Sequence, residues 1–334
     1  MKTYQVSKPG GLENLKIVEQ DTPKPNAGEV LVRWRATSLN FHDYMVGVGG
    51  IPVEEGRVPM SDGAGEVVTV GDGVSQWKQG DRVLSLFFPN WLDGKPTGEN
   101  TQIMSGDTVD GFATEFSCVD ANSLTRMPSN YTFEEAATLP CAALTAWRAL
   151  VVEGNLQAGQ SVLVQGTGGM SLFALKIAKA MGAYVYATSS SEEKMARLKD
   201  LGADEVFNYR TDEEWGKTIG ERSGGVDHVL DMGAGKTLKQ SIAATAIGGH
   251  IAIIGILDSP IAELDVISLI LGHKRMSGFA VGSKEMQEDM IALLEAKDVH
   301  PVIDRCFAFD ELGKAFEHQA SGSHFGKITV TYDD

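Results

Sequence analysis

The sequence predicts an α/β protein: a doubly wound parallel sheet joined to a second, barrel-like β domain. Three observations predict it. A buried strand runs into a glycine-rich turn and an amphipathic helix at 161–181, helices alternate with buried strands from Thr132 onward, and short strands broken by Gly and Pro fill the chain before Leu124. With 334 residues the chain exceeds one ordinary core and suits two domains.

The elements follow in order. Residues 29–36 (EVLVRWRA), 65–70 (GEVVTV) and 81–85 (DRVLS) read as strands of the barrel-like domain. The stretch 89–110, rich in Gly, Asn, Thr and Asp, reads as a long loop or lid. Residues 161–165 form a strand, 172–181 a helix closed by Gly182, and 184–187 a second buried strand, which completes a βαβ unit. Further strands are expected at 205–209, 226–231, 250–255 and 275–281. A helix at 284–297, a short strand, a second helix and a terminal strand at 327–330 then return to the first domain. The expected division is 1–124 with 283–334 for the β-rich domain and 125–282 for the doubly wound one.

The glycine-rich turn carries the first chemical inference. Gly166 permits the tight strand-to-helix turn, Gly168 lets the backbone approach a pyrophosphate, and the free N–H groups from Gly169 and Met170 onward supply partial positive charge. Ser171 stands where the third glycine of G-x-G-x-x-G would be. At the end of the second strand, where an NAD site places an Asp or Glu on the ribose, the chain reads Thr188-Ser189-Ser190-Ser191. No carboxylate is there to repel a 2′-phosphate. Ser189, Lys194 and Tyr209 could surround one, which favours NADP(H) over NAD(H). The alternative is that Ser190 and Ser191 cap the next helix, Glu193 completes a capping box and Lys194 is solvated.

Composition narrows the partners. A formal charge of −16 argues against nucleic acid and anionic membrane, and no run of about 18 apolar residues is present. Residues 1–6 read as a strand and not as a leader. Cys118, Cys141 and Cys306 form no C-x-x-C pair and no even disulfide framework, so a cytoplasmic location is expected.

Several segments resemble the medium-chain dehydrogenase/reductase family over essentially the whole chain: Ser38-Leu39-Asn40-Phe41-His42-Asp43, Asp62-Gly63-Ala64-Gly65-Glu66-Val67-Val68, Gly80-Asp81-Arg82-Val83, 139–147 (LPCAALTAW), the glycine-rich turn and Gly326-Lys327. The resemblance is to the zinc-free, quinone-reductase-like branch that includes zeta-crystallin relatives. It implies a GroES-like catalytic domain made from both chain ends, a Rossmann nucleotide domain between them, and a homodimer paired along the sixth nucleotide-domain strand.

Zinc-dependent members hold the metal with Cys, His and Cys, and the matching positions here are Asn40, Ser61 and Cys141. Zinc is therefore not expected, and the reading of Cys141 is a small apolar residue beside the cofactor. Without a Lewis acid, hydrogen-bond donors must polarise the acceptor, which suits quinones and conjugated enones. Asn40 could donate through its amide and His42 could deliver a proton, or else His42 packs at a seam. Tyr44 could donate its phenol or face the core. By the same resemblance, Thr145 approaches the nicotinamide ribose or amide, and Gly255 and Val281, at the ends of the fifth and sixth strands, meet the nicotinamide. The expected activity is NADPH-dependent reduction of quinones or activated double bonds. A zinc-free alcohol dehydrogenase or aldehyde reductase and an NADPH-binding structural or regulatory protein remain as alternatives.

Overall fold

The computed structural model describes residues 1–332. The chain divides into two compact units, Met1–Leu144 with Val281–Asp334, and Thr145–Ala280. Leu124–Arg126 pairs antiparallel with Arg82–Ser85, so the sheet of the first unit continues past Leu124.

The first unit is organised by its longest strand, Glu29–Ser38, which pairs antiparallel with Ala64–Val70, Phe116–Asp120 and Lys327–Thr331. Neighbours on both sides explain why this strand is buried almost throughout. The sheet runs from Ile303–Ala308 through Lys327–Thr331, Glu29–Ser38, Ala64–Val70 and Arg82–Ser85 to Leu124–Arg126. Both ends of the chain thus share one sheet. Trp34 anchors the core: its ring lies 4.5 Å from that of Phe112, and its Nε1 donates to Ser117 Oγ at 2.7 Å. Gly63 is required beside them, since a Cβ there would come within 2.9 Å of both rings.

The stretch 89–110 is not an open loop. It contains the helical turn Gly98–Thr101 and buries Trp91 completely, and the Trp91 carbonyl accepts the Lys284 N–H at 2.9 Å. That bond ties the stretch to the start of the helix Lys284–Ala296, whose Ser283 cap accepts the Met286 N–H at 3.2 Å.

The second unit is a six-stranded, all-parallel sheet in the order Glu205–Asn208, Tyr184–Ser189, Ser161–Gln165, Val226–Asp231, Thr245–Ile253, Arg275–Gly278. This is the Rossmann order, with its reversal at Ser161–Gln165. Leu163, Val229 and Ile251 on the central strands pack with Ile219, Leu238 and Ile242 of the helices Trp215–Ser223 and Gly235–Ala244. The third strand stops at Asn208, and the sixth at Gly278, so Tyr209 and Val281 lie just beyond strand ends. Helix Glu192–Asp200 is capped by Ser191, whose Oγ accepts the Lys194 N–H at 3.2 Å. Lys194 therefore holds the third helical position, and Glu193 completes no capping box there.

Candidate active site

In the first unit the site is built around helix Phe41–Gly47 and its N-cap, Asn40. Asp43 turns back on the cap: one carboxylate oxygen accepts the Asn40 N–H at 2.9 Å and the other the Ser61 N–H at 2.8 Å. Asp43 thus holds the helix start and the segment at Ser61 through backbone N–H groups. A second carboxylate, Asp62, is fully buried and accepts from Ser38 Oγ at 2.7 Å and Asn40 Nδ2 at 2.8 Å. Lys327, also buried, donates to the Leu39 carbonyl at 2.7 Å and to Asn40 Oδ1 at 2.6 Å, with its ammonium 3.8 Å from Asp62.

This network sets the orientation of the Asn40 amide. An ammonium only donates, so Oδ1 faces Lys327 and Nδ2 faces Asp62. The remaining N–H of Asn40 leans on Ser61 Oγ at 3.4 Å, a long contact. Asn40 is thus the keystone of a buried ion-pair network, its amide N–H groups turned to Asp62 and Ser61 and its carbonyl to Lys327. Burial pushes the Asp62 carboxyl up to about 6 despite the opposing pull of Lys327, and Asp62 Oδ1 has no hydrogen-bond partner among the described residues. Burial likewise pushes the Cys141 thiol well up, with Asp62 adding to the shift.

His42 sits one helical position before Asp43. Its Nδ1 is 3.5 Å from Asp43 Oδ1 and its Nε2 3.3 Å from Asp107 Oδ2, and its ring stands edge-on to Phe87 at 5.2 Å. Burial disfavours the imidazolium, but the hydrogen bonds and charges of Asp43 and Asp107 outweigh it and hold His42 above its ordinary range. Asp107 escaped sequence reasoning because it lies 65 residues away in a polar stretch with no periodicity. Tyr44 is placed elsewhere: its ring meets Phe41 and Phe316 and packs on the hydrophobic core.

In the second unit, Gly166 adopts φ +74° and donates its N–H to the Thr188 carbonyl at 3.0 Å, a backbone that a side chain would strain. Gly168 has ordinary dihedrals, and a Cβ there would meet nothing within 4 Å. Helix Gly169–Ala180 begins immediately after, with Met170 buried beneath its first turn. Ser171 Oγ donates to the Gln165 carbonyl at 2.7 Å, tying helix to strand at the position of the missing third glycine. At the neighbouring strand ends, the Ser189 carbonyl accepts the Tyr209 N–H at 3.1 Å, and Lys194 lies half-buried on the next helix. Ser189 itself is buried, whereas Ser190, just past the strand end, is partly exposed. Asn208 Nδ2 donates to Glu192 at 3.2 Å on the same rim.

The remaining residues are more dispersed. Gly255 is needed because a Cβ would come within 2.2 Å of the Met232 carbonyl oxygen. Thr145 is buried in the turn Leu144–Trp147, whereas Val281 belongs to the first unit and has φ +45°, an unusual value for a β-branched residue.

Two family models match the chain: "Alcohol dehydrogenase GroES-like domain" over residues 26–129 and "Zinc-binding dehydrogenase" over 169–296. The chain is 42% identical to the zinc-type alcohol dehydrogenase-like protein C1773.06c of Schizosaccharomyces pombe, across 97% of this chain and 96% of that protein. The chain belongs to the medium-chain dehydrogenase/reductase family. Other members are similar along nearly their whole length. The acryloyl-coenzyme A reductase of Metallosphaera sedula is 28% identical across 96% of this chain and 98% of its own. A crystal structure of an NAD-dependent alcohol dehydrogenase superposes with a TM-score of 0.89 at 30% identity, covering 99% of each chain.

Membership in that family supports oxidoreductase chemistry, and the group to fit to the glycine-rich turn is a nicotinamide cofactor. The turn suits that group, since Gly168 opens onto unfilled space at a helix N-terminus. Zinc, named in two of these descriptions, is a different matter. The positions Asn40, Ser61 and Cys141 offer an amide, a hydroxyl and a raised thiol, and the amide is bonded to Lys327 and Asp62. Among the described residues no group of three or more His, Cys, Asp or Glu could hold a metal ion, and no helix is long and apolar enough to cross a membrane.

Proposed function

We propose that this medium-chain dehydrogenase/reductase is a zinc-free, NADPH-dependent reductase of quinones and activated C=C or C=O groups. The observation that carries this reading is the buried ammonium of Lys327, hydrogen-bonded to Asn40 at 2.6 Å. Lys327 and Asp62 already take up the amide of Asn40, and an amide and a hydroxyl, at Asn40 and Ser61, replace the thiolate and imidazole by which zinc-dependent relatives hold the metal. The residues do not fit zinc, so no step runs through it.

When bound, NADPH supplies the hydride. Gly166, Gly168, Gly169 and Met170 would hold its pyrophosphate at the helix N-terminus, and Lys194, Tyr209 and the Ser189–Ser190 strand end its 2′-phosphate. Thr145, Gly255 and Val281 would meet the nicotinamide end. His42 holds a proton between two carboxylates and delivers it to the enolate that hydride addition creates. Asn40 caps the helix that carries His42, and Tyr44 supports that helix from the core. Likeness to an acryloyl-coenzyme A reductase supports the choice of a conjugated acceptor. The name of the Schizosaccharomyces pombe relative favours a second reading, alcohol dehydrogenase or aldehyde reductase activity.

A homodimer completes the proposal. Arg275–Gly278 ends the parallel sheet with its outer edge unpaired, and Ile261, Val266, Ile267, Ile270 and Leu271 expose apolar side chains in the same unit. An open edge beside an apolar surface favours pairing with a second copy.

The test is NADPH oxidation by purified protein against quinones, enones, aldehydes and alcohols, with elemental analysis of the same sample. Turnover of enones or quinones without stoichiometric zinc is expected. One tightly held zinc per chain, lost with activity on chelation, defeats the zinc-free reading, and NADPH binding without any turnover favours a structural or regulatory role.

A further inference from the structure

We propose that the turn 104–109 is built to present Asp107 to His42, and that Asp107 is a positioning residue for the proton step. The proposal rests on the reading of His42 as proton donor. Its support is geometric. The turn is closed by Met104 N–H to Thr108 Oγ1 at 2.7 Å, Gly106 N–H to the Val109 carbonyl at 3.0 Å and Val109 N–H to the Met104 carbonyl at 3.2 Å. Ser105 fastens it to the segment after strand Arg82–Ser85, donating its N–H to the Phe87 carbonyl at 3.1 Å and its hydroxyl to the Leu86 carbonyl at 3.0 Å. The ring of that same Phe87 stands against His42. One short tie therefore supplies both the wall and the carboxylate that the imidazole meets.

The turn is also pressed against the irregular segment that leads to Ser61 and Asp62. Gly106 has φ +80°, and a Cβ on it would come within 2.9 Å of the Met60 backbone. Met60, fully buried, itself adopts φ +78°. A non-glycine held in that region is strained and persists where its surroundings over-determine it. The strain lies where the turn carrying Asp107 meets the segment that leads into the buried network.

The two carboxylates around His42 have different duties. Asp43 already accepts two backbone N–H groups, at 2.9 and 2.8 Å, so it is fixed in place, with Oδ1 3.5 Å from His42 Nδ1. Asp107 reaches Nε2 from the other side. It fixes the rotation of the ring and adds a second charge that favours the imidazolium.

The experiment is an NMR titration of His42 in the cofactor-loaded enzyme, paired with the pH profile of enone turnover, for wild type, Asp107→Asn and Asp107→Glu. In Asp107→Asn the His42 midpoint should fall, and the basic limb of the profile should move to lower pH with it. A one-unit fall lowers the imidazolium fraction on that limb about tenfold. Asp107→Glu should recover part of both, and the NADPH dissociation constant should stay level. Thermal unfolding checks that each variant folds, with Asp107→Ser as a second variant. An unchanged midpoint overturns the positioning role. A midpoint that falls while enone turnover keeps its wild-type profile overturns the donor role of His42 and leaves Asp107 with ring placement alone.

Discussion

The buried network around Asn40 and the glycine-rich turn at Gly166–Gly168 have opposite characters. In the first, the chain supplies its own partners: Lys327, Asp62, Asp43, Ser38 and Asn40 bond to one another, and the space is closed. In the second, a strand ends, a helix begins, and open space adjoins Gly168. Physical chemistry explains the contrast. Buried charges are tolerable only when paired and hydrogen-bonded, whereas a helix N-terminus is left wanting an anion. The closed region should therefore report on stability and the open one on ligand affinity.

The largest effect should come from breaking the closed region. Lys327→Met removes the ammonium and leaves Asp62 buried without its cation, with Asn40 Oδ1 unpaired. A loss of about 3–5 kcal/mol is expected, read as a lower urea midpoint. A loss below about 1 kcal/mol would show that Asp62 is carried neutral, in keeping with its raised carboxyl, and that Lys327 pairs chiefly with Asn40. Gly168→Val sharpens the contrast from the other side. Its side chain would enter space where nothing lies within 4 Å, so stability should change by less than about 1 kcal/mol. NADPH affinity, measured by fluorescence titration, should fall about 100-fold, or about 2.7 kcal/mol. A large stability loss with unchanged affinity would remove the turn from the cofactor site.

How legible each region was follows the same contrast. The glycine-rich turn is local, with strand, turn and helix occupying consecutive positions, and the φ of Gly166 is the one its role demands. The buried network is not local. Lys327 reaches Asn40 across 287 residues because Lys327–Thr331 pairs with Glu29–Ser38, and no periodicity announces such a contact. The residue types were readable at Asn40 and Ser61, which match no zinc site, yet the direction of the Asn40 amide depends on a partner at the other end of the chain. Tyr44 shows a related limit. A helix of seven residues presents more than one face, and spacing alone did not tell which face meets Phe316. Ser189 shows another limit, since a strand-end residue can be buried whatever its polarity.

The smallest effect tests the rim of the open region. Lys194 is the third residue of helix Glu192–Asp200, and its own N–H is held by the Ser191 cap, which sets where its side chain departs. Tyr209 leaves the adjacent strand end, tied to Ser189 through the backbone. If these residues receive a 2′-phosphate, Lys194→Ala removes one charge-assisted contact worth about 1.5–3 kcal/mol, and NADPH should bind about tenfold or more weakly. NADH lacks that phosphate and should bind as before. The carboxylate of Glu192, held by Asn208 on the same rim, works against the phosphate, so Glu192→Gln should shift preference further toward NADPH. Both differences should shrink as salt is raised, because the rim is exposed to solvent. Equal losses for NADPH and NADH in Lys194→Ala would assign Lys194 to the helix surface and leave the phosphate preference without a basis at this strand end.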